Sequence, residues 1–236
     1  CIRDSEGGET TPIDCDWAKP DSLFRLRQHP PLESLGSFRD GLFYVQDPST
    51  LLAVALLDPQ PGQAMLDLCA APGGKTCNIA GRMNNEGQLT ALDISEPRLE
   101  MLRENCDRMH VTCATLGQAD TATTGGYDRV LVDVPCSNTG VMRRRLDLRW
   151  RFSPSEAKRL ADEQFKLLGQ AAKRAKPDGQ LVYSTCSIEP EENGQLVARF
   201  VKANPEWQLA DERSLNPVEN HTDGAYAARL IRRAGD

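Results

Sequence analysis

Two cysteines, Cys136 and Cys186, follow directly on apolar segments, 129–134 and 180–185, that are predicted to be β-strands. If these strands are neighbours in one sheet, their backbones lie about 5 Å apart and both thiols face one cleft. Thiols in a cleft can do nucleophilic or redox chemistry, although no CxxC turn is present to tune a redox pair. We expect other cysteines to be buried apolar groups: Cys15, Cys77, Cys106 and Cys113.

A glycine-rich turn, DLCAAPGGKT at residues 67–76, follows a third predicted strand at 64–68. Its small residues let a ligand approach the backbone, and the next helix offers its N-terminus. A P-loop would need glycine where Cys69 stands, and a dinucleotide fingerprint would need a third glycine. The remaining interpretation is a site for S-adenosylmethionine.

Asp93, at the end of the next predicted strand, could bind the ribose hydroxyls of such a ligand. An acid at this position could equally stabilise the N-terminus of the following helix. Asp120 is ambiguous in the same way, because it could meet an adenine or shape a loop.

A basic segment lies between the two cysteines. Residues 141–176 contain 11 Lys and Arg against 4 Asp and Glu, a local charge of +7. Arginine binds phosphate oxygens and an exposed aromatic side chain stacks on an unpaired base, so the cluster favours a nucleic acid over a merely solvated face. The candidate RNA-binding residues are Arg143, Arg144, Arg145, Arg149 and Trp150.

The elements that position these residues alternate. Short apolar strands at 64–68, 88–92, 111–115, 129–134 and 180–185 are separated mostly by helical patterns, including 96–108 and 155–175. This order predicts an α/β, doubly wound, mostly parallel Rossmann-like sheet, with ligands bound beyond the carboxyl ends of the strands. We expect residues 1–40 to be a lead-in or the remnant of an appended domain, and residues 41–236 to form the main domain.

Composition sets limits on the function. The chain has 236 residues, 28 basic against 34 acidic, and a net charge of −6, which argues against a globally basic nucleic-acid-binding surface. The apolar runs are too short for a membrane span, and the start is polar without a secretory signal. Scattered single cysteines without metal-ligand spacing predict a cytoplasmic protein without a metal or a disulfide framework.

Taken together, the motifs resemble those of the RNA cytosine-5 methyltransferases of the Fmu/Sun family. Asn138 departs from this family, in which glycine or alanine is common, and Ala225 and Ala227 stand where aromatic residues are usual. The matching stretches are DLCAAPGGKT (67–76), DVPCSNTG (133–140) and STCSIEPEEN (184–193), flanked by GLFYVQDPS (41–49) and HTDGAYAARL (221–230).

The resemblance implies a methyltransferase that uses S-adenosylmethionine. It implies that Cys186 is the nucleophile and that Cys136 assists product release. The residues that would contact or line the cofactor pocket are Cys69, Ala70, Ala71, Pro72, Gly73, Gly74, Lys75, Asp93, Asp120 and Asp133. The implied partner is RNA, ribosomal rather than transfer RNA, bound by a monomer. A transfer RNA enzyme, a Rossmann-type oxidoreductase and a non-catalytic RNA-binding scaffold are the alternatives.

The chemistry explains why these groups are needed. C5 of cytosine is a poor nucleophile until a thiolate adds to C6, and that addition wants a proton or hydrogen bond at N3. Asp133, in its protonated form, is the candidate donor, and Cys136 is the candidate for removing the C5 proton afterwards. A base inside a helical stack cannot react in this way, so the expected substrate is an unpaired or extruded cytosine.

Overall fold

The computed structural model describes residues 8–20, 22–118 and 126–233, and in them strands alternate with helices as predicted. The strands are β1 (Thr10–Pro12), β2 (Phe24–Leu26), β3 (Ala64–Asp67), β4 (Gln88–Asp93), β5 (Ala114–Gln118), β6 (Tyr127–Asp133), β7 (Ala175–Thr185), β8 (Trp207–Leu215) and β9 (Ala225–Arg232). The α-helices are α1 (Gly36–Arg39), α2 (Leu51–Leu57), α3 (Gly74–Arg82), α4 (Glu96–Arg108), α5 (Leu148–Arg151), α6 (Pro154–Ala172) and α7 (Gly194–Ala203).

Seven of these strands form one sheet in the order β5-β4-β3-β6-β7-β9-β8. The first five run parallel, whereas β9 is antiparallel to both β7 and β8. The predicted doubly wound, mostly parallel sheet is confirmed. So is the expectation that the strands preceding the two cysteines are neighbours, because Asp133 of β6 pairs with Ser184 of β7.

Alternate residues of the central strands pack into separate cores on the two faces of the sheet. Met65 and Leu131 pack with α2 and α3 on one face, while Leu66 and Val130 pack with α6 and α7 on the other. All four side chains are fully buried. This period of two, with apolar residues on both faces, is typical of a parallel sheet covered by helices. The carboxyl ends of the strands are thereby held rigidly.

Two predicted elements have different bounds. The strand expected at 111–115 lies at β5, three residues later, because His110 takes a left-handed φ of 55° and Val111 N–H still bonds back to α4. The segment 176–179, which lies between the predicted helix 155–175 and the predicted strand 180–185, is a bulge within β7. There, the register shifts between Tyr127 and Arg129 of β6. Lys176 in this bulge pairs with Asp128 at 2.6 Å.

Helix α7 and the edge strand β8 are not predicted from the sequence. Strand β8 carries charged and exposed residues along most of its length, so the apolar alternation that marks the inner strands is absent from it. Strand β8 completes the sheet beyond β7 and β9.

The N-terminal segment contains the two-stranded antiparallel ribbon of β1 and β2. Trp17 donates from its indole nitrogen to the carbonyl of Pro48 at 2.9 Å, and Asp16 pairs with Arg213 at 2.9 Å. The ribbon therefore contacts the main domain, and the boundary near residue 40 stays a prediction. Among the described residues, no helix combines the length and the apolar character that crossing a membrane requires.

Candidate active site at the carboxyl ends of the strands

The glycine-rich turn connects β3 to α3. Asp67, at the end of β3, is buried and accepts a hydrogen bond from Thr76 Oγ1 at 2.8 Å. Its other oxygen, Oδ1, has no hydrogen-bond partner within the described residues. Burial raises the pKa of Asp67 to about 7. An unsatisfied buried oxygen beside a glycine-rich turn is a candidate contact for a bound ligand.

Two glycines of the turn are required by close packing. Gly73 has a φ of +112°, which other residues rarely adopt, and a Cβ there would lie 2.9 Å from Leu102 Cδ1. A Cβ at Gly74, the first residue of α3, would lie 3.1 Å from the ring of Tyr44. Glycine at these positions therefore lets the turn pack closely against α4 and the ring of Tyr44.

Asp93, at the end of β4, faces the same turn. Its buried carboxylate accepts from the backbone N–H of Ala71 at 3.3 Å and of Ser95 at 3.1 Å. Arg98 Nη2 lies 3.4 Å from Asp93 Oδ2 and also donates a hydrogen bond to the carbonyl of Ala71. Asp93 thus ties the turn to the start of α4, which is the structural role considered from the sequence, and it still borders the predicted ligand site.

Lys75 and Asp133 form an ion pair between α3 and the end of β6. Lys75 Nζ lies 2.7 Å from Asp133 Oδ2, and Ser184 Oγ donates to Asp133 Oδ1 at 2.6 Å. Burial alone would lower the pKa of Lys75, but the Asp133 carboxylate raises it above its usual value. The pair therefore keeps Lys75 protonated, and the role of Asp133 as a proton donor stays a prediction.

The two predicted cysteines are in contact. Cys136 Sγ and Cys186 Sγ are 3.3 Å apart, and both thiols are free. Cys136 is buried, while Cys186 is partly exposed. A protonated Cys186 also donates to Asn138 Oδ1 at 3.0 Å, and Asn138 Nδ2 donates to the carbonyl of Cys136 at 2.9 Å. Residue 138, noted as a departure from the family pattern, thus touches the sulfur of Cys186.

The thiol pair is electrostatically asymmetric. The hydrogen bond from Cys136 lowers the pKa of Cys186, against burial and the nearby Asp133 carboxylate, and Lys75 lowers it further. The same bond and burial raise the pKa of Cys136 well above that of a free thiol. Burial also raises the pKa of Cys69 in the turn to about 12. Among these three thiols, Cys186 is the one that readily becomes a thiolate.

Gly140 joins the loops that carry the two cysteines. Its N–H donates to the carbonyl of Cys186 at 3.0 Å, and its carbonyl accepts from the N–H of Gly224 at 2.9 Å. A Cβ on Gly140 would lie 2.6 Å from each of the carbonyl oxygens of Cys186 and Gly224. The loops meet backbone to backbone, which leaves no room for a side chain.

The predicted RNA-binding cluster divides into two parts. Arg143 and Arg144 both pair with the buried carboxylates of Asp47 and Asp223, at distances from 2.5 to 3.1 Å. These four residues tie the loop after Cys136 to two distant segments. Arg145, Arg149 and Trp150 form no ion pair or hydrogen bond with these two carboxylates; all three are exposed, and the side chain of Trp150 is 90% exposed.

The predicted site residues therefore converge, with one exception. The turn, Asp93, Asp133 and the two cysteines lie at the ends of neighbouring strands, whereas Asp120 lies outside the described residues. Ser184 and Asp47 contact site residues but are not predicted to do so from the sequence, although both stand in the quoted motifs. Asn138 is noted there only as a departure from the family. Their positions within those motifs are the signal from which these residues could be found.

Comparisons with known proteins agree with this geometry. A family model described as 16S rRNA methyltransferase RsmB/F matches residues 54–232. Ribosomal RNA small subunit methyltransferase B of Vibrio cholerae is 38% identical over 97% of this chain and 54% of its own length. The Klebsiella pneumoniae protein of the same name is 38% identical over 91% of this chain and 52% of its own. The chain thus spans about half the length of these curated relatives.

Solved structures show the same fold. NSun6 from Pyrococcus horikoshii, crystallised with SFG, superposes with a TM-score of 0.78 and 28% identity, over 87% of this chain and 57% of that one. A methyltransferase homologue from the same organism gives a TM-score of 0.81 and 28% identity, over 98% of this chain and 80% of that one. With most of its length matched by the family model, this chain belongs to the RsmB/F family of 16S rRNA methyltransferases, which take their methyl group from S-adenosylmethionine.

Proposed function

We propose that this chain methylates C5 of an unpaired cytosine in RNA, most directly small-subunit ribosomal RNA, through a transient bond between Cys186 and C6 of the base. Family membership supports methyl transfer to ribosomal RNA in a cytoplasmic setting. The observation that carries the cytosine-5 chemistry is the contact of a low-pKa thiol with a high-pKa thiol, 3.3 Å apart, at the ends of β6 and β7. An oxidoreductase of this fold is not compatible with the family.

The first step is attack by Cys186 on C6. Addition of the thiolate breaks the aromaticity of the ring and makes C5 nucleophilic. The pKa of Cys186 is lowered first by the hydrogen bond from Cys136, so part of the thiol is ionised before the base arrives. The sulfur is also partly exposed, as a group that must meet a substrate has to be.

The negative charge that develops on the ring requires a proton or hydrogen bond at N3. Asp133 is the residue proposed to act there, and its ion pair with Lys75 supplies the proton. Lys75 Nζ lies 2.7 Å from Asp133 Oδ2, so a proton can move from Lys75 through Asp133 to N3 as the thiolate adds to C6. Ser184 keeps the other oxygen of Asp133 in place.

The residues of the turn fit S-adenosylmethionine. When bound, this cofactor supplies an electrophilic methyl group on a sulfonium centre. Asp93 carries a buried carboxylate that can accept from ribose hydroxyls, Asp67 Oδ1 lacks a partner among the described residues, and Gly73 and Gly74 keep the backbone open. A structural relative crystallised with SFG, an analogue of S-adenosylmethionine, supports this assignment.

Cys136 is proposed to complete the reaction. Once Cys186 is bonded to C6, its negative charge is gone, and with it the main influence that raises the pKa of Cys136. Cys136 can then lose its proton to solvent and accept the one from C5. The C6–S bond breaks as N3 returns its proton through Asp133 to Lys75. The cycle ends with the proton on Cys136, as in the resting enzyme.

The function is tested by incubating the protein with tritiated S-adenosylmethionine and total RNA from a strain that lacks the gene. We expect label at C5 of a single cytosine in small-subunit ribosomal RNA after mapping. Label in transfer RNA would establish the alternative substrate. Absence of any transfer, with cofactor binding intact, would instead favour a non-catalytic RNA-binding scaffold.

Asp93→Asn is expected to weaken cofactor binding by about tenfold or more, since a hydrogen bond to a charged group contributes about 1.5–3 kcal/mol. The dissociation constant for S-adenosylmethionine can be measured by titration calorimetry. Asp107→Asn, an exposed acid on α4, is the matched control and should bind normally. A dissociation constant that Asp93→Asn leaves unchanged would remove Asp93 from the cofactor site.

Trp150→Ala is expected to weaken RNA binding by about 5- to 100-fold, because stacking of a base on an aromatic ring contributes about 1–3 kcal/mol. The side chain is 90% exposed, so the melting temperature and cofactor affinity should not change. Fluorescence anisotropy with a labelled RNA hairpin gives the affinity, and Trp150→Phe should retain most of it. Equal affinity for the alanine variant and the wild type would contradict stacking at this residue.

A further inference from the structure

Glu192 is a buried carboxylate that the chemistry proposed above does not use, although it lies in the STCSIEPEEN motif. Its side chain is 0% exposed, and no lysine or arginine pairs with it within the part of the chain that the structure describes. Burying a carboxylate is costly unless hydrogen bonds replace its hydration. The donors that bind Glu192 therefore indicate its role.

Those donors come mainly from the residues that directly follow the two cysteines. Ser137 N–H donates to Oε1 at 3.0 Å, and Ser137 Oγ donates to Oε2. Ser187 Oγ donates to the same Oε2 at 2.5 Å. One carboxylate thus holds the chain just beyond Cys136 and just beyond Cys186.

Glu192 is itself anchored to the rigid part of the fold. Gln164 of α6 donates from Nε2 to Oε1 at 2.8 Å, and Tyr183 of β7 donates from its hydroxyl to the backbone carbonyl of Glu192 at 2.6 Å. Gln164 and Tyr183 are fully buried. The carboxylate is therefore a fixed point to which both cysteine-bearing loops attach.

From this juxtaposition we infer that Glu192 is a positioning residue: it sets the distance between the sulfur atoms of Cys136 and Cys186, and with it the hydrogen bond between them. The 3.3 Å contact depends on two loops that leave adjacent strands separately, so it needs a link between them. Gly140 N–H supplies one link, to the carbonyl of Cys186. Side chains also join the loops directly, Ser137 to Ser187 at 3.1 Å and Cys186 to Asn138 at 3.0 Å, and Glu192 adds the buried carboxylate that accepts from both serines. The catalytic meaning of this geometry rests on the proposed function, whereas the geometry itself is a property of the free protein.

The reactivity of Cys186 reports on this distance. Three titratable groups influence its sulfur, which also contacts the amide oxygen of Asn138: Cys136 beyond β6, Asp133 at the end of β6 and Lys75 on α3. Cys136 has the largest effect and favours the thiolate, Lys75 also favours it, and Asp133 opposes it. Separating the two sulfurs removes the largest favourable effect and leaves burial and Asp133 to raise the pKa of Cys186.

The test is the rate of alkylation of Cys186 by iodoacetamide as a function of pH, followed by mass spectrometry of the peptide that contains it. We expect Glu192→Gln to slow alkylation at pH 7 by about tenfold, because a rise of one pKa unit lowers the thiolate fraction tenfold below both pKa values. Ser137→Ala removes one hydroxyl donor to Glu192 and keeps the carboxylate itself. It should slow alkylation of Cys186 in the same direction but by a smaller factor.

A double-variant comparison separates positioning from general loosening of the fold. In a Cys136→Ala background the hydrogen bond is already lost, so Glu192→Gln should have no further effect on Cys186 alkylation. Asp128→Asn is the matched control: this carboxylate accepts from Ala64 N–H and Lys176 at the opposite end of β6. It should lower the melting temperature without changing the alkylation profile.

A folded Glu192→Gln protein with the wild-type alkylation profile would overturn the inference. So would an equal slowing in the Cys136→Ala background. If Glu192→Gln does not fold, Ser137→Ala takes its place: a wild-type alkylation profile, or an equal slowing in the Cys136→Ala background, would overturn the inference. The assay uses neither RNA nor S-adenosylmethionine, so its outcome is independent of whether methyl transfer to cytosine is observed.

Discussion

Cys186→Ala should abolish methyl transfer to RNA, with a loss of at least about a thousandfold, the scale on which enzymes lose activity when a covalent nucleophile is removed. Without the thiolate nothing adds to C6, and C5 stays part of an aromatic ring that does not attack an electrophilic methyl group. Incorporation of tritiated methyl into RNA, measured under single-turnover conditions, gives the loss directly.

The variant is expected to fold and to bind S-adenosylmethionine normally, since Cys186 is partly exposed and the turn after β3 is unchanged. Cys15→Ala, which removes another partly exposed thiol near the N-terminal ribbon, is the matched control and should methylate at the wild-type rate. Cys186→Ser should be nearly as inactive as the alanine variant, because a hydroxyl is far less ionised than this thiol. Substantial activity in Cys186→Ala would remove the covalent mechanism.

The position of Cys186 could be predicted because it depends on local pattern and on general rules of sheet topology. The apolar segments before Cys136 and Cys186 are strands. Because ligands in this fold bind beyond the carboxyl ends of the strands, both thiols are predicted to face one cleft. The pairing of Asp133 with Ser184 is the register that brings them together. These features follow from periodicity and short-range turn signals, which a single sequence contains.

The contacts that tune the site could not be predicted in the same way. Arg143 and Arg144 appear in the sequence as part of a basic patch, yet their partners Asp47 and Asp223 stand about 80 to 100 positions away along the chain. Spacing rules concern neighbours on one helix or strand and say nothing about such pairs. The same limit applies to Lys75, whose ion-pair partner Asp133 stands 58 positions away along the chain.

Strand β8, at the antiparallel end of the sheet, could not be predicted for a different reason. Strand β8 is an exposed edge strand with charged residues, so burial does not impose the alternation that identifies inner strands. The bulge at 176–179 contains a proline and a glycine, which usually mark a turn outside a strand, whereas the Lys176–Asp128 pair keeps this segment beside β6. Neither difference alters the position of the cysteines.

Cys136→Ala should trap the enzyme on its RNA instead of simply inactivating it. In this variant Cys186 still attacks C6, but the group proposed to remove the C5 proton is absent, so the C6–S bond cannot break after methylation. A slowly migrating protein–RNA band should appear on a denaturing gel, at least about tenfold stronger than for the wild type. The removal of one step in a covalent cycle leaves its intermediate to accumulate.

The band should carry tritium from the methyl donor and should disappear in the Cys136→Ala, Cys186→Ala double variant, because the bond to RNA requires the sulfur at 186. Its amount should rise with pH near neutrality, because this variant lacks the hydrogen bond from Cys136 that lowers the pKa of Cys186. Alkylation of Cys186 in Cys136→Ala measures that change separately. Release of methylated RNA by Cys136→Ala at the wild-type rate, with no band, would assign removal of the C5 proton to another group and leave the thiol contact with a role only in activating Cys186.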